Sequence, residues 1–67
     1  MKIRVNGEER DLDGDSLTVS AVLGQLGMRD TPVVVELNKT ALFKHEIPTT
    51  EIKEGDRIEI IRIVAGG

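Results

Sequence analysis

The sequence closes on Arg62-Ile63-Val64-Ala65-Gly66-Gly67, and the group best suited to chemistry lies in those last residues. Glycine has no Cβ, so an extended Gly66-Gly67 enters a channel too narrow for other residues and leaves the terminal carbonyl carbon open from both sides. As the final residue, Gly67 would present an α-carboxylate that is ionised at neutral pH. Such an oxygen can attack the α-phosphorus of ATP to form an acyl adenylate. Displacement of AMP by a sulfur nucleophile would then leave a reactive acyl species, ultimately a thiocarboxylate. None of these steps asks this chain for a catalytic side chain. Gly67 is therefore the expected attachment site, with Gly66 and Ala65 as the tail that delivers it. A frayed end would also tolerate two glycines, so this reading needs support from the body of the chain.

The other groups that could do chemistry have plainer explanations. His45 lies between Lys44 and Glu46, and with no cysteine and no second histidine to complete a metal site it reads as a solvated surface residue. Asp11, Asp13 and Asp15 alternate in the manner of cation ligands. A calcium loop needs a longer ligand series ending in a bidentate acid, so turn chemistry accounts for them better. No metal site is expected.

Charge and composition exclude further classes. Twelve acidic against nine basic side chains give a net charge of −3, without a basic cluster, and Phe43 is the only Phe, Tyr or Trp. Nucleic acid is thus not an expected partner, since it calls for concentrated cations and stacking aromatics. No stretch approaches the roughly 18 apolar residues of a membrane span, and the opening "MKIRVNGEERD" is charged where a signal peptide is apolar. A cytoplasmic protein without membrane association is expected.

The elements that must carry the tail can be read from periodicity. Met1, Ile3 and Val5 alternate with polar residues as in a strand with one buried face. Asn6-Gly7 then predicts a tight hairpin into a second strand around Glu8 to Leu12, and Asp13 to Ser16 breaks the extended pattern. Val19, Val22, Leu23 and Leu26 form a helical stripe of about two and a half turns. Thr18 is the expected N-cap and Gly27 the residue just past the end. Gly24 inside the helix is read as permitting close approach to a sheet. Thr31 to Asn38 predicts a well-buried third strand with Pro32 near its start. Asn38-Lys39 turns it into a short stretch around Thr40 to Phe43, although lysine suits a left-handed turn position poorly. From Lys44 to Glu54 the chain is polar and irregular, with Ile47 and Ile52 as anchors, and Glu54 to Asp56 turns it into a last strand, Arg57 to Val64. Strands and one helix without βα repetition predict an α+β domain with the helix on one face of a mixed sheet.

The last strand links body to tail. Burying Ile58 and Ile60 sends Glu59, Ile61 and Ile63 to the opposite face, so two isoleucines stand exposed at the base of the tail. A domain of 67 residues with no cysteine has only its apolar core for stability, and the outer face of a sheet covered by one helix should be wet, so exposed Ile61 and Ile63 need either a partner or a local change of register.

With that arrangement, "VNGEE" near the start, "LTVSAVLGQLG" in the helix, "VVVELN" in the third strand and "EGDRIEIIRIVAGG" at the end resemble the ThiS family, sulfur carriers of thiamin thiazole biosynthesis. The resemblance implies a ubiquitin-like β-grasp domain over residues 1–64 and a flexible diglycine tail over 65–67. It implies that Gly67 is adenylated by an E1-like enzyme of the ThiF type, which consumes ATP, so that the chain itself is not an enzyme and binds no cofactor. A sulfur-donor protein would then supply the thiocarboxylate sulfur, and a thiazole synthase of the ThiG type would receive it. The implied docking strand includes Ile61, Ile63 and Val64, with Glu59 and Arg62 completing the partner-facing set. Arg62 would meet acidic groups on the activating enzyme. A monomer is expected when the chain is free. ThiS-like sequences carry an Asn-Gly pair, then Pro-Arg and a nearby Trp, where this chain has Asn38-Lys39, Phe43-Lys44 and Ile47, so the departures touch a loop and an edge. Two other readings stay open on residues alone. One is a MoaD-like carrier, the small subunit of molybdopterin synthase, which tends to be longer and to place prolines before its last residues. The other is a ubiquitin-like modifier or interaction domain.

Overall fold

A computed structural model describes residues 1–64. The strands β1 (Lys2–Val5) and β2 (Glu8–Asp11) form the opening hairpin, in which Asn6 and Gly7 take φ of 50° and 85°. Both values are the left-handed ones that a two-residue turn of this hand requires. After the bend at 13–16 the chain forms a two-residue strand β3 (Leu17–Thr18) and then helix α1 (Val19–Gln25). Thr18 caps the helix as expected, its Oγ1 accepting from the Ala21 amide at 3.1 Å. Strands β4 (Val33–Leu37) and β5 (Thr40–Ala41) follow, then a short 3₁₀ turn Lys44–Glu46, β6 (Glu51–Ile52) and β7 (Arg57–Arg62).

Five strands make one mixed sheet in the order β2-β1-β7-β4-β5, while β3 and β6 pair antiparallel in a second, small sheet. Within the main sheet β1 and β7 run parallel and the other neighbours antiparallel. The mixed sheet and single main helix match the expected α+β class. Ile3 and Val5 of β1, Val35 of β4, and Ile58 and Ile60 of β7 join Val19, Val22 and Leu23 of α1 in the core, together with Leu12 and Ile52. Full burial of each such side chain contributes about 1.5–3 kcal/mol, which is how a seven-residue helix too short to stand alone is held.

Several expectations require correction. Gly24 does not mediate a close approach: it is exposed, and a Cβ placed there would meet nothing within 4 Å. The third strand is not buried throughout, because only Val35 is fully covered while Val34 is 41% exposed. Its neighbours β7 and β5 protect its edges, but the helix side alone is covered, so the β-branched run reflects strand propensity more than two-sided burial. The last strand ends at Arg62 rather than Val64, although the Ile63 amide still donates to the Pro32 carbonyl at 3.0 Å. Ile52 anchors the irregular stretch as expected, whereas Ile47 is only partly buried. The small β3–β6 sheet has no signal in the sequence, two residues being too few to show a period. No helix among the described residues is long and apolar enough to cross a membrane.

Candidate functional site

The site is the exit of β7, and two asparagines secure that strand. Asn6 and Asn38 both occupy left-handed turn positions, with φ of 50° and 49°. Each turns its side-chain amide onto β7. The Ile60 amide donates to Asn6 Oδ1 at 2.7 Å and Asn6 Nδ2 donates to the Ile60 carbonyl at 3.1 Å, extending by a side chain the pairing that β1 ends with its last residues. At the strand's start, the Arg57 amide donates to Asn38 Oδ1 at 2.9 Å and Asn38 Nδ2 donates to Asp56 Oδ1 at 3.2 Å. Asp56 in turn accepts from the Lys53 amide at 2.8 Å through Oδ2, closing the turn that feeds β7. Such paired amide bonds satisfy backbone groups that the neighbouring strand no longer reaches. Asn38 and Lys39 are followed by β5; Lys39 holds φ 71° where glycine would be easier, as the sequence foreshadowed.

With β7 fixed, its alternation decides what faces outward. Ile58 and Ile60 are buried, and Glu59, Ile61 and Ile63 are exposed, Ile61 by 54% and Ile63 by 53%. Pairing with β4 sets Val34 opposite Ile61 and Glu36 opposite Glu59. Val34, absent from the residues singled out in the sequence, thus widens the apolar surface at the strand's exit. Its exposure could have been read from the alternation around buried Val35. Strand alternation sends Arg62 to the side opposite Ile61, where it pairs in register with Val33. Val64, beyond the strand, is 81% exposed. Of the five expected partner-facing residues, Glu59 and Ile61 therefore share a face, Arg62 does not share it, and Ile63, past the strand's end, is exposed beside a groove lined by α1. Ala65, Gly66 and Gly67 lie outside the described residues.

The remaining candidates are placed as surface groups. His45 is exposed and stacks on Phe43 with ring centroids 5.8 Å apart. The Phe43 amide donates to Glu46 Oε1 at 2.8 Å, so this departure from the family pattern closes its own 3₁₀ turn. Asp13 is held by Gln25, whose side chain accepts from the Asp13 amide and donates to its carbonyl. Among the described residues, no group of three or more His, Asp or Glu is placed to hold a metal ion. Beside Ile63, a groove of about 280 Å³ lies between α1, the 3₁₀ turn and the start of β4, with Leu23 and Ile47 in its lining and Arg29 and Lys44 as its charged residues. The described residues bring together an apolar, partly acidic sheet surface at the strand's exit, suited to protein contact.

The ThiS family pattern matches residues 3–67. The chain belongs to the ThiS family. The crystal structure of a thiamine biosynthesis protein (ThiS) from Geobacter metallireducens superposes with a TM-score of 0.85 at 35% identity, over 100% of both chains. The domain accordingly has the β-grasp fold of that family. The sulfur carrier protein ThiS of Thermus thermophilus is 35% identical over 63 residues, covering 94% of this chain and 95% of that one. A thiazole synthase from Paramagnetospirillum magneticum is 39% identical over 67 residues, all of this chain but only 20% of that protein. This ThiS-family chain thus spans about a fifth of that relative's length.

Proposed function

We propose that this chain is a sulfur carrier of thiamin biosynthesis, with Gly67 as its working end. The observation that carries the proposal is the family match across residues 3–67, which runs through the diglycine and accompanies an exposed apolar strand leading into it. In this reading a Gly67 carboxylate oxygen attacks the α-phosphorus of ATP and expels pyrophosphate. The terminal sulfur of a cysteine persulfide on a donor protein then attacks the acyl carbon and displaces AMP, giving an acyl disulfide, and a thiol cleaves its S–S bond, releasing the carrier as a thiocarboxylate and leaving a disulfide on the donor. The adenylating enzyme consumes the ATP, and the carrier contributes its end group and docking surface instead of catalytic side chains. Gly66 and Ala65 let that end thread into the enzyme, while Ile61, Ile63 and Val34 hold the body outside.

The acceptor in this proposal is a thiazole synthase. A protein named as that enzyme contains a segment alignable with this whole chain, and such an association in one polypeptide supports contact between the separate proteins. Thiamin and thiazole names among the relatives favour this pathway over the molybdopterin reading. The cytoplasm, where ATP and the partner enzymes meet, is the proposed compartment. Intact-mass spectrometry tests the chemistry: with ATP, the cognate adenylating enzyme and a sulfur source, the chain gains the mass of one sulfur-for-oxygen replacement at Gly67. An unchanged mass with an enzyme that demonstrably activates another ThiS-family chain rejects the proposal.

A further inference from the structure

Charges on the outer face of the main sheet are sorted by sign, and the sorting reaches the strand's exit. Arg4 lies in register with Arg57 across β1 and β7, Glu36 with Glu59 across β4 and β7, and Val34 with Ile61 one step further on. Like charges directly opposite in a sheet destabilise it. Elsewhere the face avoids this, since Lys2 and Arg4 of β1 have the acidic Asp11 and Glu9 of β2 opposite them. The ion pairs among the described residues join the N-terminus to Asp11 and Lys2 to Glu9; none reaches Glu36 or Glu59. Glu36 is moreover only partly exposed, so water screens it less than a fully solvated carboxylate.

Two carboxylates left to face one another beside an exposed apolar patch disagree with local stability, and such disagreements mark surfaces that serve binding. Resting on the carrier reading above, we infer that the partner protein docking on this face carries an arginine or lysine that seats between Glu36 and Glu59. That cation stands about 7 Å along the strand from the apolar surface covering Val34 and Ile61, two residues at the usual strand rise. An arginine fits best, because its planar fork can donate to both carboxylates at once. A second copy stacked with its apolar patch on this one is disfavoured, because a twofold axis through that patch puts the same residues on both sides and would gather four carboxylates around one apolar contact. The acidic pair therefore admits a cationic partner and opposes that patch-on-patch stacking.

The test compares Glu36→Gln/Glu59→Gln with wild type and with Glu51→Gln, an exposed change on β6 of the small sheet. Binding to the adenylating enzyme and to the thiazole synthase of the same cell is measured at low and high salt, with thermal midpoints of the free proteins. At least one partner binds the double variant about tenfold more weakly at low salt, with a flatter salt dependence, as loss of a complementary charge requires. The free double variant melts at or above the wild-type midpoint, and Glu51→Gln binds as wild type. If both partners bind the double variant as tightly as wild type, or if its midpoint falls, the inference is overturned. Normal thiocarboxylate formation by wild type in that case leaves the carrier reading standing. Wild-type protein that neither binds nor is converted would instead reject the carrier reading and this inference with it.

Discussion

Replacing Asn6 by glycine isolates the contribution of a side chain that sutures the tail-bearing strand. Glycine takes the observed φ of 50° without steric strain, so the turn is kept and only the two bonds to Ile60 are lost. Each such bond contributes about 0.5–1.5 kcal/mol net, and both here are partly buried, with Ile60 itself 7% exposed. The added freedom of glycine in the unfolded chain removes up to about 1 kcal/mol more. A loss of about 2–3 kcal/mol follows, which is large for a domain whose total stability should be of order 3–10 kcal/mol at this length. At roughly 4–8 °C per kcal/mol for a domain of this size, the melting midpoint falls by about 10–20 °C. Urea and thermal denaturation measure the change, and hydrogen exchange at the Ile60 amide localises it. Asn6→Ala should be worse by a further ~1–2 kcal/mol, because its Cβ strains the left-handed conformation. An Asn6→Gly protein as stable as wild type, with the Ile60 amide still protected, would refute the view that this side chain holds the strand.

Gly24→Ala should raise stability by about 1 kcal/mol, since the helix gains propensity and the added methyl meets open space; a lower urea midpoint would contradict that. Ile58→Ala, in the core, should cost about 2–5 kcal/mol, whereas Ile61→Asp, three residues further along the same strand and on its outer face, should leave the denaturation midpoint nearly unchanged and weaken partner binding; parallel melts and binding isotherms separate the two. Removing Gly66-Gly67 should abolish thiocarboxylate formation by intact mass while leaving the amide spectrum of residues 1–60 in place, and a shifted spectrum across the core would show that the tail supports the fold.

The opening hairpin, the helix and the facing of the last strand were legible because each rests on a period or a turn pair within a few residues. Asn6-Gly7 specifies its turn by backbone conformation alone, and the alternation of Ile58 and Ile60 with Glu59 and Ile61 needs only the pleat. Val34 was the miss with a readable signal, hidden by treating an unbroken β-branched run as buried on both sides. Gly24 misled because a helical glycine can signal either close packing or nothing, and only the neighbouring atoms distinguish them.

From the sequence alone came the diglycine, the helix cap and the assignment of Glu59 and Ile61 to the face away from the core. Tertiary structure alone decided that β7 lies between β1 and β4, that Val34 completes the apolar patch, that Glu36 confronts Glu59, and that Asn6 reaches a residue 54 positions away. The division has one physical cause. Side-chain period and turn conformation are properties of a few adjacent residues, whereas strand partners are chosen by burying a shared core, and that choice leaves no spacing in the chain to read.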